Sequence, residues 1–222
     1  MSATPDLLST AEPPPSQAHA AYEALRDMLV TLEIRPGEPI SEAVLMERLG
    51  VGRTPLREAV NRLTEERLVQ KYPRRGTFAA EINLADLPLL TDLRREIEAL
   101  AAGLAAYSAT ESDREALRAL SPQEGDVRPG GDPAEQMRKD TAIHRHIYEA
   151  THNHFLIETA SRYHAHSTRL WYQFTDRLTD LGSHVDEHRA LIAHICAGEA
   201  DRAREVARHH VDNFAQAVRD LI

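Results

Sequence analysis

Four residues in the second half of the chain have the types and the spacing that a divalent metal site requires. Asp140 and His144 are four positions apart, so on a helix both side chains project from the same face. His188 and His210 follow on two later segments of helical character. One carboxylate and three imidazoles suit zinc, nickel, manganese or iron. Spacing alone leaves a second interpretation open, because pairs at i and i+4 are common and a single helical histidine is more often a polar surface residue.

A second set of residues, earlier in the chain, is suited to DNA. Arg53, Arg57 and Asn61 recur every four residues, which places them on one helix face. Arginine can donate two hydrogen bonds to a guanine edge, so Arg53 and Arg57 are the predicted base readers. Groups suited to phosphates accompany them: Thr54 at the helix start, and Arg74 and Arg75 in a turn. A single surface arginine is usually only solvated, so the prediction depends on the whole set.

The elements that would position these arginines begin with a helix from about Ala18 to Glu33. Its apolar stripe recurs at helical spacing and consists of Ala21, Leu25, Met28, Leu29 and Leu32. The segment Arg35–Gly37 should end this helix, because proline and glycine break helices. Residues 1–16 contain the run Pro13–Pro15 and few large apolar side chains, which predicts a disordered tail.

Two further helices and a hairpin complete the predicted unit. Ser41 can cap the second helix and Gly50 can close it. Thr54 is the predicted cap of the third helix, with Pro55 in its first turn. Two strands should then pair through a turn with Gly76 at its end; they are Leu68–Tyr72 and Thr77–Ala80. Three helices and a hairpin predict a winged helix-turn-helix.

From Leu84 onwards the pattern predicts only helices. They lie near 86–109, 111–120, 133–151, 153–177, 184–198 and 200–221, with Ser121–Pro133 as a loop rich in proline and glycine. Stripes of leucine and alanine would pack these helices as an antiparallel bundle. The predicted fold class is mainly α, with a DNA-binding domain at 17–80 and an all-helical domain at 84–222.

The distribution of charge supports this division. The chain has a net charge of −9, yet residues 48–78 hold eight basic and three acidic residues, a net charge of +5. Residues 81–222 hold 16 basic and 24 acidic residues, a net charge of −8. A basic patch on an acidic body fits a regulator that contacts DNA with one face. The single cysteine, the lack of a secretion signal and the lack of a long apolar run predict a cytoplasmic protein that does not enter the membrane.

The N-terminal unit resembles the winged helix of GntR-type bacterial transcription regulators. The resemblance rests on Pro36-Gly37, the run Leu49–Ala59, Leu63, Leu68-Val69 and Arg75–Phe78. It implies that Arg53, Thr54 and Arg57 contact operator DNA and that Gly76 lets the wing approach it. The chain departs from the family at Gly52, where serine or threonine is usual, and at Ala43, where a basic residue is frequent. These departures bear on operator affinity and sequence.

The helical part resembles the FCD effector domain of FadR-type members of that family. The resemblance covers the chain from Leu84 to its end and rests on Leu93–Glu98, Leu104–Ala106, Asp140-x-x-x-His144, Ala150, Asn153, Leu156, Glu187-His188, Gly198, Ala203 and His210. It implies that Asp140, His144, His188 and His210 bind one divalent ion, zinc first, with nickel, manganese or iron as alternatives. The histidines off these positions are interpreted as ordinary polar residues: His146, His152, His154, His164, His166, His184, His194 and His209. Of these, His194 and His209 are near enough in sequence to stand behind the ligands.

Arg94 matches the arginine in the opening helix of that domain, which makes it the candidate to pair with a small organic acid effector at the metal. An ion pair with Glu98, four residues on, is the competing interpretation. Together these features predict a regulator, usually a repressor in this family, that binds operator DNA as a homodimer under effector control. Two alternatives remain: a metal-dependent hydrolase, for which no general base is evident, and a regulator whose metal is purely structural.

Overall fold

The computed structural model describes residues 16–122, 133–174, 177 and 182–221. The predicted tail therefore lies outside the described residues except for Ser16, as does most of the loop at 121–133. Within these ranges the elements follow in this order: α1 (Gln17–Val30), α2 (Glu42–Leu49), α3 (Arg53–Glu65), β1 (Val69–Tyr72), β2 (Gly76–Ala79), a 3-10 turn (Leu84–Asp86), α4 (Leu87–Ser108), α5 (Glu111–Leu120), α6 (Pro133–Glu149), α7 (His154–Phe174), α8 (Gly182–Ala197) and α9 (Ala200–Arg219). The predicted fold class, mainly α with an N-terminal winged helix-turn-helix, is confirmed. None of the helices in these ranges has the length and apolar character needed to cross a membrane.

The winged helix is built as its sequence predicts, around one apolar core. Leu25, Leu29, Leu56, Leu63 and Leu68 are fully buried in it. Burying a leucine side chain stabilises the fold by about 1.5–3 kcal/mol, so these five set the packing of α1 against α3. The wing is an antiparallel pair in which residue 69 faces 79 and residue 72 faces 76.

Two helix ends in this unit differ from the prediction. Helix α1 ends at Val30, six residues before Pro36, because the Thr31 hydroxyl bonds back to the Asp27 carbonyl and Leu32 adopts a left-handed φ of 60°. Helix α3 begins at Arg53 with Gly52 as its N-cap, so Thr54 is not the cap. The predicted cap of α2 is confirmed: Ser41 accepts from the Val44 amide, and Gly50 closes the helix at φ 63°.

The six later helices form the predicted bundle, in which α4 and α9 lie side by side. Small residues let these two helices approach closely, among them Ala99, Ala102, Ala106, Ala203 and Ala207, all buried. Gly103 belongs to this seam, because a Cβ there would overlap the Arg204 guanidinium. Helix α7 packs on α4 and α6 within the bundle and also on α1 of the winged helix.

Candidate metal centre and nucleic-acid interface

The structure brings the four predicted metal ligands together inside the bundle. Asp140 and His144 lie on α6, His188 on α8 and His210 on α9. One ligand atom from each residue lies within 4.8 Å of the others, and all four side chains are buried. The Nε2 atom of His144 is 3.3 Å from the Nε2 atoms of both His188 and His210, and Asp140 Oδ1 is 3.3 Å from His188 Nε2. Three imidazoles and one carboxylate converging in this way form a donor set that fits a divalent transition metal.

Two carboxylates orient the histidine rings from behind. The Nδ1–H of His144 donates to Glu98 Oε2 at 3.2 Å, and the Nδ1–H of His210 donates to Glu187 Oε2 at 2.9 Å. These bonds fix the tautomer of each neutral ring, because a proton on Nδ1 leaves Nε2 as the free ligand atom. Tyr148 donates to the other oxygen of Glu98 at 2.7 Å, so this buried carboxylate is well satisfied.

Charges inside the cluster change the protonation of its members. Burial alone would lower the pKa of His144, but the carboxylates of Glu98 and Asp140 outweigh burial and raise that pKa above its ordinary value. Burial would raise the pKa of Glu98, but His144 and Arg94 hold it well below its usual range. The pKa of His164 lies well below its ordinary value, first because the ring is buried and then because His144 is close.

Arg94 forms the ion pair that its spacing predicts, and its guanidinium also reaches a cavity beside the metal ligands. Its guanidinium donates to Glu98 Oε1 at 2.7 Å, which is the ion pair that the spacing predicts. It also donates to the Ser167 hydroxyl, and it lines a small cavity beside Asp140, His144 and His210. The cavity measures about 10 Å³, close to the room that one water needs. A buried cation therefore stands beside the predicted metal ligands in this cavity.

His164 belongs to the same buried cluster, and sequence reasoning did not place it there. It was interpreted as an ordinary polar residue, but its side chain is only 8% exposed and its Nε2 lies 3.6 Å from Asp140 Oδ2. Glu98, His144 and His164 even form a second group with metal-like spacing. The Arg94 guanidinium lies against both Glu98 and His164, and its charge disfavours a second cation there. His164 is at least 20 residues from every candidate ligand in the sequence. No local spacing pattern could therefore have identified it.

Other histidines off the predicted positions have different surroundings. His209 Nδ1 lies 3.5 Å from Glu187, the carboxylate that holds His210, whereas His194 pairs with Glu199. His166 is partly buried and bonds to the winged helix. The side chain of His184 lies outside the described residues.

The predicted DNA-reading residues are all exposed on the winged helix. Those on α3 are Arg53, Thr54, Arg57 and Asn61, and those in the wing turn are Arg74, Arg75 and Gly76. Helix α3 buries its other face, so its exposed face is free to meet a groove. Arg57 pairs with Glu42 at 3.2 Å, and Asn61 accepts from Lys71, a basic residue that the site prediction omitted.

The wing turn has the backbone that a close approach to DNA requires. Gly76 adopts φ 103°, a conformation that side chains rarely adopt, and a Cβ there would meet nothing within 4 Å. Arg74 is also left-handed, at φ 63°, and the Arg75 guanidinium lies 5.7 Å above the Tyr72 ring. The hairpin therefore presents two adjacent arginines at its tip.

Comparisons with known proteins agree with both halves of the structure. The family model described as "Bacterial regulatory proteins, gntR family" matches residues 17–79, and the model described as "FCD domain" matches residues 89–213. An uncharacterised HTH-type transcriptional regulator of Escherichia coli K12, YieP, is 30% identical over 206 residues, covering 84% of this chain and 88% of that protein. The transcriptional repressor RspR of the same strain is 24% identical, covering 90% and 88%. The solved structure of E. coli McbR/YncC superposes with a TM-score of 0.81 at 20% identity, covering 94% of this chain and all of that one.

Proposed function

Because the chain belongs to the GntR family of bacterial transcription regulators and carries an FCD domain, we propose that a small organic acid controls its binding to operator DNA. The chain is a DNA-binding regulator and not an enzyme, since its relatives and both family models are regulators. The metal-dependent hydrolase considered from the sequence is therefore wrong. The proposed division is a DNA-binding domain at 17–80 and an effector domain at 84–222.

The convergence of Asp140, His144, His188 and His210 beside a buried arginine carries the proposal of effector control. These four residues would hold one divalent ion, with zinc preferred for the three imidazoles and one carboxylate. When bound, such an ion supplies a positive centre for one carboxylate oxygen. Arg94 would pair with the same acid, because its guanidinium is held in the cavity by Glu98 and Ser167.

The small size of the cavity links acid binding to a change of shape. A cavity of about 10 Å³ has no room for even a two-carbon acid, so binding must widen it. An acid that binds only the wider form shifts the population towards that form. One wall belongs to α7 through Ser167, Thr168 and Trp171, and α7 also contacts the winged helix. We propose that this helix connects the effector cavity to the DNA-reading surface and that the protein acts as a repressor.

We further propose a symmetric dimer formed through an apolar stripe on α4. Leu89, Leu93, Leu100 and Tyr107 are exposed by 40–86% and recur at intervals of four and seven residues, so they share one helix face. Large side chains of this kind in a continuous stripe are typical of an interface. A two-fold dimer would place two α3 helices on a near-palindromic operator.

The test uses full-length protein and a duplex selected from a random library. Metal-loaded protein is titrated with small organic acids, and operator affinity is followed by fluorescence anisotropy. We expect at least one acid to change the dissociation constant by tenfold or more, and chelated protein to bind DNA without responding to that acid. Acid binding that never changes operator affinity would contradict effector control. Failure of every acid to bind metal-loaded protein would favour a purely structural metal.

A further inference from the structure

The cavity beside the metal ligands contains buried polar atoms that the proposed contacts do not use. Two nitrogens of lining residues, Arg94 Nε and His164 Nε2, have no hydrogen-bond partner among the described residues. Buried polar atoms in folded proteins are almost always paired, so an unpaired one calls for a bound group. His164 is more than nine-tenths buried and reaches into the same cavity as Asp140.

The neighbours of His164 determine which of its nitrogens carries a proton. Its Nδ1 lies 3.4 Å from a terminal nitrogen of Arg94. A guanidinium has only donors, so Nδ1 must be the acceptor and must lack a proton. The single proton of the neutral ring is then on Nε2. The nearest carboxylate oxygen, on Asp140, is 3.6 Å away and outside hydrogen-bond range. His164 therefore offers an unused donor to the cavity.

A role as a further metal ligand does not fit this arrangement. Its ring nitrogens lie outside the group of four ligand atoms that are mutually within 4.8 Å. A nitrogen that carries a proton has no lone pair to give to a metal. The His164 ring instead lies between the ligand Asp140 and the guanidinium of Arg94, in the same cavity that the bound acid is proposed to enter.

We propose that His164 is a specificity residue that donates a hydrogen bond to an oxygen of the effector other than its carboxylate oxygens. The inference rests on the proposed function, in which the ion and Arg94 take the carboxylate. The effector class is then small acids with a hydroxyl or oxo oxygen beside the carboxyl group. Met137, Trp171 and Phe214 form an apolar part of the cavity that suits a short carbon stem.

The backbone around His164 supports such a role. His164, Ser167 and Thr168 lie on one face of α7, and the Thr168 hydroxyl donates to the His164 carbonyl at 3.0 Å. The ring packs against His144 with centroids 4.5 Å apart and against Tyr148 at 6.2 Å. These two ring contacts restrict the orientation of the imidazole and so of Nε2–H, which is what discrimination between similar acids requires.

The test compares matched acids that differ by one oxygen. Zinc-loaded full-length protein is titrated by calorimetry with lactate against propionate, and with glycolate against acetate. A hydrogen bond between uncharged groups corresponds to roughly fivefold in affinity, so we expect the oxygen-bearing acid to bind about fivefold more tightly. His164→Leu should reduce this ratio to about two or less while propionate affinity changes by less than about threefold. His164→Gln, whose amide can donate from a similar position, should keep most of the preference.

Two controls make the outcome decisive. His166→Gln changes a histidine on the opposite face of α7 and should leave the ratio unchanged, and His164→Asn is a second loss variant if the leucine variant does not fold. Zinc content is measured for every variant. An unchanged ratio in His164→Leu and His164→Asn overturns the inference while leaving effector control intact. Loss of zinc from both variants also overturns it, because His164 would then be a ligand. If wild-type protein binds none of the four acids, the inference fails, and the wider titration with small organic acids decides whether the proposed function fails with it.

Discussion

At the scale of single residues, Arg57 pairs with Glu42, a partner that the proposed contact with DNA would replace. Its Nε lies 3.2 Å from Glu42, and the two side chains are exposed by 60% and 34%. Exposed pairs of this kind contribute about 0–1 kcal/mol, so a guanine edge can replace the carboxylate at little loss.

Replacing Arg57 by alanine should therefore weaken specific operator binding by ~1–3 kcal/mol, and Arg53→Ala should do the same. Neither side chain belongs to the buried face of α3, so the melting temperature should not change. Gel shifts with operator and scrambled duplexes measure the effect. Arg145→Ala removes the same charge from an exposed position on α6 and serves as the control. Wild-type affinity in Arg57→Ala would show that α3 is not the recognition helix.

The wing arginine Arg74 should act differently, because a phosphate contact carries no sequence information. Arg74→Ala is expected to weaken binding to all duplexes alike and to lower the slope of log affinity against log salt by about one. Alanine and arginine meet the same strain at φ 63°, so the turn should persist. Affinities measured at several salt concentrations test this. A loss confined to one sequence would instead make Arg74 a base reader.

The candidate site was predictable only where its residues are close in sequence or match the family. Asp140 and His144 share a helix turn, and the resemblance supplied His188 and His210. The carboxylates that orient the rings were not identified as such: Glu98 lies 46 residues from His144, and Glu187 lies 23 residues from His210. Such contacts depend on how helices pack, which periodicity does not specify.

At the scale of elements, α7 has two faces with different partners. One face lines the cavity through His164, Ser167 and Thr168. The other bonds to backbone carbonyls of the winged helix: His166 donates to that of Glu66 at 2.8 Å, and Arg169 donates to that of Ala80 at 2.6 Å. A shift of α7 that widens the cavity must therefore either stretch these two hydrogen bonds or move the winged helix together with α7.

The contact of His166 should make stability depend on pH. Burial lowers the pKa of His166, and the nearby Arg169, Arg162 and Arg26 lower it further, although its bond to Glu66 opposes them. As pH falls below ~6.5, the unfolded chain takes up this proton first. The stability contributed by neutral, buried His166 is thus complete above pH ~6.5. It is lost as pH falls towards the lower pKa of the folded state, and the free energy of unfolding decreases by no more than about 1.4 kcal/mol per pH unit.

Urea unfolding at a series of pH values measures this dependence. His166→Gln keeps a donor for the Glu66 carbonyl but does not titrate, so its stability should fall less between pH 6.5 and 5 than that of wild type. His154→Gln changes an exposed histidine on the same helix and should follow wild type. Parallel curves for wild type and His166→Gln would contradict the assignment.

Helix boundaries show where sequence patterns are sufficient. The long amphipathic helices were predicted to within about three residues, because their buried faces repeat at helical spacing over many turns. Helix α1 ends three residues earlier than predicted, because a threonine back-bond ends it before the proline is reached, and the predicted cap of α3 was wrong, because Gly52 takes the place expected for Thr54.

At the scale of the whole molecule, the four candidate ligands would join three helices from distant parts of the chain. An ion that binds only the folded state adds about 2.7 kcal/mol of stability at a hundredfold excess over its dissociation constant. Chelation should therefore lower the melting temperature by several degrees, and zinc should restore it. Calorimetry before and after dialysis against a chelator tests this, with His188→Ala as the variant that should not respond. Identical melting temperatures of metal-loaded and chelated wild-type protein would show that the four residues form a polar cluster that binds no stabilising ion.

The proposed dimer depends on the exposed stripe of α4. Leu100→Glu should place a charge in the centre of that interface and raise the monomer fraction at micromolar concentration, with a matching loss of operator affinity. Phe155→Glu changes another exposed apolar residue, on α7, and is the control. Light scattering on full-length protein measures both. A dimer that persists in Leu100→Glu would place the interface on another surface.

The hydrogen bonds from α7 to backbone carbonyls of the winged helix also limit how the two parts of this protein could be exchanged with those of its relatives. Ala165 completes the core of the winged helix, and Ser161 and Arg162 bond to it as well, so part of that unit is encoded more than 80 residues downstream. A chimera that joins this winged helix to another effector domain at the 3-10 turn would leave that part behind. Transplanting the outer face of α7 together with residues 17–80 should yield a hybrid that still responds to its effector, because main-chain carbonyls accept hydrogen bonds whatever side chains surround them.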